Sequence, residues 1–267
     1  ASDVYKRQYM KKYILTLILA LASLGLYAQT NRNKTIINAA LHGWEYEIKA
    51  GVNLGGTAPL PFPEEIRSID GYNPTLSITI EGNMTKWLDT KKKWGIITGL
   101  RLENKGMRTK ATVKNYNMEI IGYDGNRLKG NWTGGVRTKV QNSYITIPVL
   151  AAYKLSPRTT LKLGPYFSYL MDGDFSGHVY EGYLRETNPT GDKINFTNGA
   201  IATYDFSGDL RKFQWGVQAG VDWKAFKHLK VHADLNWGLN DIFNKDFKTV
   251  TFDMYAIYLN VGFGYAF

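Results

Sequence analysis

Four histidines are the residues best equipped for chemistry here: His42, His178, His228 and His232. His228 and His232 stand four apart, a spacing that gathers metal ligands on a helix but spreads them along a strand. Ser176 lies two residues before His178, with no nucleophile motif around it, and neither G-x-S-x-G nor H-E-x-x-H occurs. Asp172-Gly173-Asp174 lacks the further ligand spacing of an EF-hand. The sequence therefore predicts no catalytic, cofactor or metal site, and no enzyme. A membrane-embedded lipid-modifying enzyme needs no local signature and stands as an alternative.

The charged residues fall into two sets. One alternates with apolar residues along extended segments: Glu45, Glu47, Lys49, Glu81, Arg101, Glu103, Lys162, Asp222, Lys230, His232 and Asp234. Both signs occur, as in a salt-bridged interior, and a thin polar channel is the functional alternative. The other set crowds 105–142: Lys105, Arg108, Lys110, Lys114, Arg127, Lys129, Arg137 and Lys139, against Glu119 and Asp124. Such a basic segment would pair with phosphates of anionic lipid or lipopolysaccharide, or with a protein partner.

The elements that must carry these residues are strands. Side chains alternate across a strand, so Trp44, Tyr46, Ile48, Ala50, Val52 and Leu54 share one face, with Glu45, Glu47 and Lys49 on the other. The same pattern recurs over 74–84, 94–104, 143–154, 160–170, 212–224, 229–239 and 255–267. Each run has about the length a tilted strand needs to cross a bilayer. Connections alternate between short and long. The long ones are 55–73, 105–142, 171–211 and 240–253, and within 105–142 the stretches 110–116 and 117–123 would extend a hairpin beyond the membrane. The fold expected is all-β, an eight-stranded antiparallel transmembrane β-barrel of up-and-down topology, preceded by a signal-peptide helix. Both termini are expected in the periplasm. Outward Trp44, Trp94, Tyr153, Trp223 and Phe267 would ring one interface, and Tyr169, Phe213, Trp237 and Tyr255 the other.

Composition agrees. Aromatic residues make up 14% of the chain, and there is no cysteine for disulfides. Residues 1–9 resemble a non-native lead. Residues 10–28 read as a signal peptide, with Lys11 and Lys12 before an apolar run from Ile14 to Leu26. Residues 29–43 would be a periplasmic tail and 44–267 the barrel. Without 1–28 the net charge falls from +10 to about +7.

Four segments in order resemble the PorT-like outer-membrane β-barrel proteins: ITGLRLENKGMR (Ile97–Arg108), SYITIPVLAAYKL (Ser143–Leu155), LKLGPYFSYLMDG (Leu161–Gly173) and WGLNDIF (Trp237–Phe243). Trp237 departs from the tyrosine usual there. The resemblance implies an eight-stranded barrel in the bacterial outer membrane, inserted by the barrel-assembly machinery through the strand ending at Phe267. The family's namesake is associated with protein secretion. The role expected is thus structural or interactive, as an accessory of secretion or envelope assembly, with outer-membrane lipid, lipopolysaccharide and envelope proteins as partners and no nucleic acid. A narrow passive pore is the alternative.

Overall fold

The computed structural model describes residues 44–122 and 125–267. The expected lead, signal peptide and tail lie outside them. The strands are β1 (Trp44–Pro59), β2 (Ile66–Pro74), β3 (Ile78–Trp87), β4 (Trp94–Ile121), β5 (Arg127–Lys154), β6 (Thr159–Glu186), β7 (Lys193–Asp205), β8 (Phe213–Lys224), β9 (Leu229–Gly238) and β10 (Met254–Ala266). Eight of them close a ring in the order β1-β3-β4-β5-β6-β8-β9-β10, with β10 returning antiparallel to β1 from Glu47↔Ala266 to Pro59↔Met254. Among the described residues, closure leaves no wall strand without a neighbour on either side over the stretch that crosses the bilayer, as a bilayer requires.

The near rim carries the tight turns at 88–93, 155–158 and 225–228 and the end of β10. At its β3–β4 turn, Asp89 accepts hydrogen bonds from the Trp94 and Lys93 amides at 2.8 and 2.7 Å. These donors, Trp94 first, hold its carboxyl below the ordinary aspartate range. The outward face of the wall is apolar from this rim upward. Trp94, Trp223 and Phe267 are exposed low on it, and Tyr169, Phe213 and Trp237 high on it. Trp94 packs on Tyr153 across the strand pair at 4.6 Å. Pro148 and Pro165 sit within wall strands. The β5–β6 ladder lapses between Pro148↔Tyr166 and Ala151↔Leu163, where Pro165 has no N–H to give.

The sequence expectation is corrected beyond the far rim. β4 runs to Ile121 and β5 starts at Arg127, so the hairpin expected to extend through 110–116 and 117–123 is present and longer than expected, while 171–211, expected as a loop, is mostly strand. β4, β5 and β6 run 28 residues each, while about ten suffice to cross. β7 lies within the expected loop 171–211 and pairs with β6 from Ser176↔Asp205 to Arg185↔Lys193. It also touches β4 at Ile121↔Thr203, closing a second, four-strand ring over the wall. β2 occupies the end of the expected loop 55–73 and runs on to Pro74, and the strand expected at 74–84 begins four residues later, at Ile78.

The reason is an inversion of polarity. Within the wall, β4 turns Ile96 and Leu100 outward and Arg101 and Glu103 inward. Asn104 pairs with Ser143, whose hydroxyl donates to its Oδ1 at 3.0 Å, and this pair marks the edge of the apolar band. Above it the same alternation continues with its faces exchanged. Arg108, Lys110, Thr112 and Lys114 turn outward, while Met107 and Val113 are buried. A strand in lipid needs an apolar outside, and a strand in water needs an apolar inside. The extension accordingly has its own core, in which Trp132, Met118, Ile120, Val140, Val179 and Leu184 are almost fully buried.

Candidate functional site

The wall positions a lattice of side chains in the lumen. Arg101 on β4 is its centre. Its Nε donates to Glu81 Oε2 at 2.6 Å, Nη2 to Gln218 Oε1 at 2.7 Å and Nη1 to Asn236 Oδ1 at 3.1 Å. Lys162 lies 2.6 Å from Asp222 and 2.7 Å from Asp234, and Lys49 reaches Asp222 at 3.3 Å. Glu103 accepts from Thr146 at 2.8 Å and Asn53 at 3.2 Å, and pairs with Lys105 at 3.1 Å. Lys230 pairs with Glu47 at 3.0 Å. Asn260 donates to Asn53 and Thr79 and bonds His232 Nε2 at 2.8 Å. Every wall strand contributes, so the bonds reach across the barrel as well as between neighbours. Alternation and closure together place these residues: each inward position is fixed by the pleat, and the ring folds them onto one another.

Five cations (Lys49, Arg101, Lys105, Lys162, Lys230) meet five anions (Glu47, Glu81, Glu103, Asp222, Asp234) in these pairs. The lattice is electrically balanced, and an isolated charge would not be tolerated there. Packing is tight. A Cβ on Gly220 would fall 1.8 Å from Asp234 Oδ1. Below the lattice, Trp87, Ile97, Leu150 and Ala152 form an apolar plug at the near rim. Above it, the Lys105 ammonium lies over the rings of Tyr144, Tyr166 and Tyr258 at 5.2–5.9 Å. Glu45 is half-buried at the start of β1.

Lys105, expected on an exposed basic segment, is instead buried and faces inward, because its odd position on β4 continues the parity of Arg101 and Glu103. It is withdrawn from lipid contact. The other basic residues lie on the outer face of the extension. Arg108 faces Lys139 across β4–β5, and Lys110 faces Arg137. Lys139 is paired with Asp174, whose other oxygen accepts from Ser176 at 2.6 Å. Lys110 and Arg137 both lie over the Tyr180 ring, at 5.6 and 5.2 Å. Arg127 pairs with Glu119 near the tip, while Lys114 and Lys129 are exposed. Burial, then the neighbouring Arg137, holds the His178 imidazole below its ordinary pKa.

Between the far rim and the extension lies a cavity of about 490 Å³, inside the range of small-molecule sites. Met107, Val113, Val136, Phe175, Tyr204 and Met254 are among its walls. Sequence reasoning missed it. The one available signal was the apolar parity of Met107, Thr109, Ala111 and Val113 within a segment that reads as basic.

A family model described as "Outer membrane protein beta-barrel domain" matches residues 27–244. The chain belongs to that family. This outer-membrane β-barrel protein is therefore integral to the bacterial outer membrane. Among solved structures it is similar to the attachment invasion locus protein Ail of Yersinia pestis, at 11% identity and TM-score 0.35, covering 84% of this chain and 97% of that one. It is similar to OmpT, the outer membrane protease of Escherichia coli, at 12% identity and TM-score 0.33, covering 84% and 96%. The outer membrane protein OprG of Pseudomonas aeruginosa aligns at 11% identity and TM-score 0.30, covering 85% and 97%. No curated protein matches the chain.

Proposed function

We propose that this protein is a closed-lumen barrel that anchors its extension outside the cell, where the extension acts as an interaction surface. Within this reading the near rim and both termini are periplasmic. The observation that carries it is the polarity inversion above Asn104 and Ser143: the chain builds a second, water-facing structure with its own core on a wall whose lumen is filled with paired charges. The narrow-pore reading loses support from the same lattice. The role is non-enzymatic, with the Ser176 hydroxyl committed to Asp174.

The outer face of the extension supplies the contact. Like charges directly opposite in a sheet destabilise it unless an anion compensates. Lys139 already has Asp174 as its anion, whereas Lys110 and the Arg137 opposite it, with Arg108 beside them next to the apolar band, suit lipopolysaccharide phosphates through charge-assisted hydrogen bonds. The ordered PorT-like motifs favour an accessory role in secretion or envelope assembly. The test is crosslinking in native outer membranes, with affinity recovery and mass spectrometry. Recovery of secretion or envelope-assembly proteins, lost on joint Arg108→Glu, Lys110→Glu and Arg137→Glu replacement, supports the reading. Recovery of lipid alone would sink the accessory role. An epitope placed at 187–191 should be stained on intact cells, and its protection would reverse the orientation.

A further inference from the structure

The cavity has a side entrance. β1 from Leu54 to Pro59 pairs with β10, and β2 pairs with β4 from Ile66↔Val113 to Pro74↔Met107. β1 and β2 are not neighbours in the sheet order, so the wall parts between them at this height. The Tyr72 hydroxyl spans the parting and donates to the Gly55 carbonyl at 2.7 Å.

Two bulges in β2 make the lip of this entrance apolar. Register shifts fall between Ile66 and Ser68 and between Ile69 and Gly71. Each inserts one residue, so Ile66, Ile69 and Tyr72 share the cavity side although they are three apart, a spacing that strict alternation would split between faces. The polar residues Ser68 and Asp70 are thrown to the outer face, where Asp70 accepts from Ser68 at 2.6 Å and Thr112 at 2.7 Å. Ile69 and Tyr72 on the lip are about half exposed, as is Phe62 above them.

Inside, the lining is mostly hydrocarbon and thioether, with the hydroxyls of Thr57, Thr109, Thr138, Tyr116 and Tyr204 among it. Met107, Met118 and Met254 supply adaptable walls. Two of these hydroxyls are already committed, since Tyr204 Oη bonds Thr138 Oγ1 at 2.6 Å and the Arg137 carbonyl at 3.1 Å. The predominance of hydrocarbon decides the preference, since apolar cavities favour apolar ligands over water. The bilayer-facing band reaches the entrance from below through exposed Leu54, Leu76 and Ile78. Beside it, one strand away, the outer face carries Arg108 opposite Asn73 and Lys110 opposite Gly71.

We infer that this pocket takes an acyl chain of an anionic lipid from the adjoining leaflet, entering sideways between β1 and β2 while Arg108 and Lys110 hold the head group. The source follows from the position of the opening, which adjoins the band, and the charge follows from the two cations. The inference stands whether or not the extension has a protein partner.

The test uses the full chain in vesicles containing phosphatidylglycerol with a photoreactive acyl-chain end, with adducts mapped by peptide mass spectrometry. Adducts are expected at Met107, Met254 or Ile257 as well as on the outer band at Ile78 and Ile80. Ala111→Phe, which fills the pocket, and Ile69→Glu, which puts a carboxylate on the exposed lip without entering the core, should each reduce the pocket adducts to background and leave band adducts unchanged. Heat-modifiable migration on gels confirms the barrel of each variant, and resistance of 105–142 to limited proteolysis confirms its extension. Adducts confined to the band would overturn the proposal. Pocket adducts from a photoreactive fatty acid added in water, but none from the lipid, would overturn the membrane source. Equal pocket labelling by photoreactive phosphatidylcholine would overturn the role of Arg108 and Lys110.

Discussion

Arg101 shows what a single residue does in this protein. It is buried, bonded to Glu81, Gln218 and Asn236, and close to Glu103 through the lattice. Arg101→Met should lower stability by about 3–5 kcal/mol, because it leaves buried carboxylates without their cation. Urea unfolding in lipid vesicles measures this, and adding Glu81→Gln to the same chain should recover part of the loss. Asp70 is the corresponding residue at the pocket lip. The hydroxyls of Ser68 and Thr112 hold its carboxyl below the ordinary aspartate value. A lowered carboxylate pKa contributes stability above the ordinary value, and the contribution is lost as pH falls through the folded one. The amides of 68–71 should therefore lose protection in acid below the ordinary carboxylate range. Hydrogen exchange corrected for intrinsic rates tests this, with Asp70→Asn expected to show no such pH step.

At the scale of elements, the strands follow one rule in two solvents. On β5, Ile145, Ile147 and Val149 face lipid, while Arg137, Lys139 and Gln141 at the same parity face water. The inner face changes in the opposite sense, from Thr146 below to Val140 and Val136 above. The extension should therefore fail independently of the wall. Trp132→Ala, which empties the most buried large side chain of its core, should cost the extension about 3–5 kcal/mol. Limited proteolysis should then cut within 105–142 while the heat-modifiable barrel persists. Loss of the barrel as well would show that the two cores are one cooperative unit. The wall was legible in the sequence because apolar-out, charged-in alternation over ten residues is unmistakable around Trp44 or Trp215. The extension was legible only in part: 110–116 and 117–123 read as a hairpin beyond the membrane, but its core did not, because the apolar face lies on the parity opposite to Lys110 and Arg137.

At the scale of the whole molecule, the lumen is plugged by Trp87 and its neighbours, bridged by balanced ion pairs and roofed by three tyrosines around Lys105. An eight-stranded wall is only wide enough for its own side chains. In planar bilayers the protein should show no unitary conductance steps, and reproducible steps would restore the pore reading. The sequence by itself determined the solvent of the wall strands, their pleat, and which residues face inward, because alternation is a local consequence of backbone geometry. It also determined membership in an outer-membrane β-barrel family, which the match over residues 27–244 shows. Tertiary structure alone decided which inward charges meet. It also decided that the hairpin within 105–142 joins the strands of 171–211 around a core, and that β1 and β2 part to open an apolar pocket. Those outcomes depend on ring closure, register and two bulges, which join residues far apart in the chain and leave no periodic trace in it.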